Sequence, residues 1–84
     1  MGVKMEFHKI KEISVLKEFL LEVVFENGKK KKYDVKPIIE KYENFKELEK
    51  KDLFSKAKVD KGGYAVIWDD KLDISSEELW NNGK

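Results

Sequence analysis

The stretch FLLEVVFENGKKKKYDV, residues 19–35, constrains the fold more than any other. Phe19, Leu21, Val23 and Phe25 alternate with Leu20, Glu22, Val24 and Glu26, the period of a half-buried strand. Asn27-Gly28 is a hairpin turn signal, and a second run leads on to Val35. The length of the turn decides which side chains share the core face. A two-residue Asn27-Gly28 loop sets Lys30, Lys32 and Asp34 opposite Phe25, Val23 and Leu21, which places charges among apolar residues. A three-residue loop, Glu26 to Gly28 with Gly28 left-handed as a bulge, shifts the register by one residue and flips every side chain. Lys29 and Lys31 then face Phe25 and Val23, while Tyr33 and Val35 face Leu21 and Phe19. This register buries two apolar residues where the other buries none, so it is the expected one. Lys30 and Lys32 then point to solvent. Lys29 and Lys31, near the open end of the hairpin, cover apolar surface with their stems and keep their ammonium groups wet.

The rest of the chain reads around this hairpin. HKIKEISVL, ending at Leu16, is a preceding strand whose faces the pattern does not settle, and Lys17-Glu18 breaks it. Pro37 suits a first helical position, with Ile38, Ile39 and Tyr42 on one side. Asn44 and Glu47 have capping-box spacing ahead of Leu48, and Leu53 and Phe54 continue the apolar spacing. AKVD, a Lys61-Gly62-Gly63 turn and YAVIW form a second hairpin with Tyr64, Val66 and Trp68 on one face. Asp69 to Lys71 is another turn, and LDI is a short extended piece. Ser75-Ser76-Glu77-Glu78 opens a last helix carrying Leu79 and Trp80. The order β-β-β-α-β-β-α specifies an α+β fold: a small, mostly antiparallel sheet of about five short strands with two or three short helices. The 84 residues are expected to form one domain, folded from residue 4 to 80 with 81–84 as a frayed tail.

Composition closes off several kinds of chemistry. Charged residues make up 42% of the chain, yet the net charge is only +1, so no global field attracts nucleic acid or anionic lipid. All 18 positive charges are lysines; arginine, the bidentate reader of phosphate and base edges, is absent. There is no cysteine, hence no disulfide, thiolate nucleophile or zinc thiolate site. No apolar run approaches the length of a membrane span, and the first ten residues lack the apolar core of a signal peptide. A cytoplasmic monomer or homodimer, without a cofactor, is the expectation.

Few side chains are candidates for chemistry. His8 is the lone histidine; Glu6 and Glu12 are its nearest carboxylates, and a solvated strand-edge histidine is the simpler reading than a metal ligand. Asp69, Asp70 and Asp73 lack the calcium-loop spacing, so they read as turn and helix caps rather than as a metal site. Gly62-Gly63 lacks the strand–loop–helix context of a phosphate loop. One histidine and four serines give a nucleophilic triad almost no material, and no enzyme activity is expected. Trp68 belongs to the core alternation. Trp80, late in the chain with Leu79, is a candidate partner contact, because an exposed Trp often marks an interface. Lys29, Lys30, Lys31 and Lys32 are the candidate nucleic-acid contacts. Without arginine, and with Tyr33 turned inward, they read first as a solvated hairpin edge that discourages edge-to-edge pairing.

The ordered set Phe25, Asn27, Gly28, Asp34, Pro37, Leu48, Phe54, Trp68, Asp73, Ser75, Glu77 and Leu79 resembles the prokaryotic family known as domain of unknown function 2442. The resemblance runs over roughly residues 10 to 80. Asp70-Lys71 replaces the family's usual Asn-Gly turn, and Ser76 stands where Pro is common. The resemblance implies an α+β sheet domain and no known activity. Family members are often encoded beside domain of unknown function 4160 in a toxin–antitoxin-like arrangement, and some are fused to a helix-turn-helix domain. These associations imply a regulatory module with a protein partner, engaged through a sheet face or the C-terminal helix: Trp80, Leu79, Lys30 and Lys32. The alternative is a nucleic-acid-binding or transcription-associated accessory domain acting through Lys29 to Lys32.

Overall fold

The computed structural model describes residues 8–50, 52–69 and 71–84. Among these residues six strands and two α-helices follow one another: β1 (Ile10–Leu16), β2 (Leu20–Phe25), β3 (Lys30–Asp34), α1 (Lys36–Lys41), β4 (Lys58–Val59), β5 (Ala65–Asp69), β6 (Leu72–Ser75) and α2 (Ser76–Asn82). Short 3-10 segments, Glu43–Glu49 and Phe54–Lys56, link α1 to β4. The fold is α+β, as expected, but there is one strand more than expected, and the strands form two antiparallel sheets, β1-β2-β3 and β4-β5-β6. The extra strand is the piece LDI. Leu72 and Ile74 pack into the core while Val66 and Ile67 pair with Ile74 and Asp73.

The β2–β3 hairpin takes the three-residue register. Leu21 pairs with Tyr33, Val23 with Lys31 and Val24 with Lys30. The turn closes with Phe25 N–H donating to Lys29 C=O and Gly28 N–H donating to Phe25 C=O, with Gly28 at φ 91°. Tyr33 and Val35 are buried as a result. Together they contribute on the order of 3–5 kcal/mol of apolar burial, comparable with the whole net stability of a small domain. The β1–β2 connection, Lys17–Phe19, is also three residues long, and there Glu18 and Phe19 both take left-handed backbone, at φ 61° and 62°.

One core joins the sheets. Leu21, Val23, Phe25, Tyr33 and Val35 come from the first sheet and Val66, Trp68, Leu72 and Ile74 from the second. Ile39, Leu48 and Phe54 fill from the helical segment. Trp68 Nε1 donates to Phe54 C=O at 3.1 Å, which satisfies the only polar atom of that buried ring. The sheets meet where Ile10 N–H donates to Gly63 C=O at 2.8 Å.

Several local expectations change. Tyr64 does not join Val66 and Trp68 in the core; it is 45% exposed, just before the point where β5 begins. The 3-10 segment at Glu43 starts without the Asn44 cap, and Glu47 pairs instead with Lys50 at 3.1 Å. Residues 81–84 are no frayed tail: α2 continues to Asn82, and Lys84 N–H donates to Lys32 C=O at 2.8 Å.

Gly28 and Gly63 are both left-handed but not equivalent. A Cβ on Gly28 meets open space, whereas one on Gly63 would lie 2.8 Å from Ile10 C=O. Gly28→Ala is expected to cost about 1 kcal/mol of backbone strain. Gly63→Ala should cost at least about twice that, because it also parts the sheets. Urea unfolding of both variants checks the ranking, and equal losses would contradict the role given to Gly63.

Candidate interaction surface

α2 begins where Ser75 caps it, its hydroxyl accepting from Glu78 N–H at 3.2 Å. That fixes which way each side chain of the helix points. Leu79 is wholly buried, so it has no surface to offer a partner; this corrects the expectation of Leu79 as a contact. Trp80 is half-buried. Its indole meets the edge of Phe25 at 5.0 Å between centroids, and the His8 ring stacks on it at 3.8 Å and 9°. The Lys31 ammonium lies 4.3 Å from the indole centroid and donates to Trp80 C=O. Trp80 is therefore largely committed to its own fold, through contacts worth about 0.5–1.5 kcal/mol each beyond area burial.

His8 is likewise not the solvated histidine expected. Its backbone N–H donates to Glu77 Oε2 at 2.8 Å, and its Nδ1 lies 3.1 and 3.2 Å from the two carboxylate oxygens. The bond from the His8 amide is the main reason the Glu77 carboxyl lies below its usual range; the ring bond and charge add to it and desolvation opposes it. Glu78 takes a different partner, accepting from Tyr33 OH at 2.8 Å. Burial first, and Glu78 second, push the Tyr33 hydroxyl well above its ordinary value. Sequence reasoning missed this corner because His8 and Glu77 are 69 positions apart. The only available signal was the register, which turned Lys31 and Tyr33 inward.

The four lysines do not form one patch. Lys31 folds over Trp80, while Lys30 and Lys32 project from the other face of β3 and Lys29 sits at the turn. Glu22 stands opposite Lys32 in the register. On that outer face half-buried Leu16, Leu20 and Val24 lie among Glu12, Glu22, Lys30 and Lys32. Where it passes over the β3 edge it opens into a groove of about 570 Å³ lined by Leu20, Lys32, Tyr33, Asp34, Pro37 and Ile38, with α2 at its far wall.

The acidic turn does structural work. Asp69 Oδ1 accepts from Lys71 N–H at 2.8 Å and Leu72 N–H at 3.0 Å. A shallow pocket of about 330 Å³ lies beside it, lined by Glu43, Asn44, Glu47, Asp69, Lys71 and Leu72. Glu6 and Asp70 lie outside the described residues. Among the described residues no group of three or more His, Asp or Glu is placed to hold a metal ion, and no helix is long and apolar enough to cross a membrane.

The model of the family described as Protein of unknown function (DUF2442) matches residues 10–84, and the chain belongs to this family. Neither the curated proteins nor the solved structures compared with the chain gave a match. The residues that carried the resemblance mostly build the fold. Phe25, Leu48, Phe54, Trp68 and Leu79 are core, Gly28 is the left-handed turn, Ser75 caps α2, and Asp34 Oδ1 accepts from Lys36 N–H at the start of α1. Ser76, in place of proline, has its own use: its N–H donates to Tyr64 C=O at 2.8 Å, a bond proline cannot make.

The lowered Glu77 carboxyl gives a signed expectation. Its folded value lies below its unfolded value, so its share of stability is complete above the ordinary value of 4.5 and is lost as pH falls through that value and then through the folded one. The stability gap between the wild type and Glu77→Gln should therefore shrink as pH falls below about 5. Urea unfolding from about pH 5 downward checks it; a gap that keeps growing as pH falls below about 5 would contradict the His8–Glu77 contact.

Proposed function

We propose that the chain is a non-catalytic protein-interaction module of a regulatory kind. One observation supports this above the others: the outer face of the first sheet mixes half-buried aliphatic side chains with charges of both signs. Protein interfaces have this mixed composition. A phosphate backbone asks for something else, an unbroken cationic track with stacking aromatics. Here the lysine run is divided between two faces, and its neighbouring aromatics, Tyr33 and Trp80, are engaged with Glu78 and Lys31. The gene arrangement that goes with the family makes the neighbouring gene's product the first partner to test.

The tagged full chain, purified from its own cells at physiological salt with and without nuclease, tests the reading. A stoichiometric protein partner is expected to survive nuclease. Leu20→Glu, a change on the outer face, should release it while altering stability by less than about 1 kcal/mol. Recovery of nucleic acid, or of partners that nuclease removes, overturns the proposal in favour of contact through the lysines. Recovery of the chain alone overturns it as well.

A further inference from the structure

We propose, building on that reading, that the partner binds by strand addition: an extended acidic segment pairs with the free edge of β3 and seats an aliphatic side chain on Leu20, Pro37 and Ile38. Among the described residues β3 has a neighbouring strand on one side only, β2. The pairs Val23–Lys31 and Leu21–Tyr33, continued by Val35 N–H donating to Phe19 C=O, turn the odd-numbered backbone groups toward β2. In an antiparallel ladder the residues between them face the other way. The N–H and C=O groups of Lys30, Lys32 and Asp34 therefore point off the sheet.

One of these groups is already used in this manner. Lys32 C=O accepts from Lys84 N–H at 2.8 Å, delivered by extended backbone at Gly83. The edge is thus open enough for a main chain to make a rung on it. An incoming segment takes over that rung and adds others along the groove.

The charge of the segment follows from which groups are engaged. Of the carboxylates at the groove, Asp34 accepts from Lys36 N–H and Glu78 accepts from Tyr33 OH. Among the described residues no carboxylate lies within ion-pair distance of Lys30 or Lys32. Both carboxylates keep their charge in these bonds, and the charge that Lys30 and Lys32 add along the strand itself is cationic. It repels a second copy of the same lysine strand and favours an acidic one. Main-chain pairing then supplies affinity, and the apolar shelf and lysines supply selectivity.

The test is a titration of the isotope-labelled full chain with an acetylated decapeptide of alternating Val and Glu, and with its Val–Lys counterpart. The Val–Glu peptide should bind saturably by millimolar concentration and slow amide exchange at Lys30, Lys32 and Asp34. Binding of the Val–Lys peptide should be at least about tenfold weaker. Lys30→Pro removes one outward donor and should abolish the slowing; edge strands tolerate such a proline. The double variant K30E/K32E, which keeps the backbone intact, should reverse the preference between the peptides. Equal binding of both, binding that leaves the three amides fast, or no binding by millimolar concentration overturns strand addition. A partner captured from cells that leaves those amides unprotected sinks the binding mode alone. Specific Val–Glu binding with no cellular partner sinks the interaction reading alone.

Discussion

The structure depends on one left-handed residue. Gly28 lets three residues turn the chain between β2 and β3, and a one-residue change there would exchange the two faces of β3. With the observed register, Tyr33 and Val35 enter the core. Lys31 reaches the rim of that core and covers Trp80. Lys30 and Lys32 are left on the far face, and the outward backbone of β3 becomes the edge of the sheet. Core, Trp80 corner and open edge are consequences of the same turn.

α2 turns this local choice into a tertiary one. Glu78 stands where a capping box would fold it back onto Ser75; it accepts from Tyr33 OH instead. A buried phenol without a partner would cost about 1–3 kcal/mol, so the cross-link is better placed there than at an exposed helix end. Glu77 holds the approach to β1 through His8, and Leu79 fills the core between them. The N-terminal strand, the hairpin and the last helix are thus tied together by side chains from a single helical turn and a half.

Much of this was legible in the sequence, for physical reasons that can be named. The β2–β3 register followed from comparing two ways to bury an alternating pattern, since only one of them sets Tyr33 and Val35 rather than charges opposite Leu21 and Phe19. The Ser75 cap was legible because capping is local. What was not legible depends on distance or on context. LDI is too short to show a period, and only pairing with β5 makes it a strand. Tyr64 continues the alternation of Val66 and Trp68 but precedes the paired segment. Asn44 has the spacing of a cap, yet the 3-10 segment begins at Glu43 and leaves its side chain unused as one. Trp80 looked free because nothing near it in sequence covers it; His8 and Lys31 arrive from other elements. Leu79 and Trp80 are neighbours in sequence but lie on different sides of a helix, which is why one is core and the other a half-covered corner.

The family motif is thus a folding motif, and the surface left over carries the functional reading. That surface is the outer face of the first sheet and the β3 edge beside it, both fixed by the turn at Gly28. The most direct measurement is amide hydrogen exchange along β3 in the free protein. The account expects slow exchange at Lys31, Tyr33 and Val35, whose N–H groups face β2, and fast exchange at Lys30, Lys32 and Asp34. The opposite alternation would contradict the register, and protection of all six would contradict the open edge.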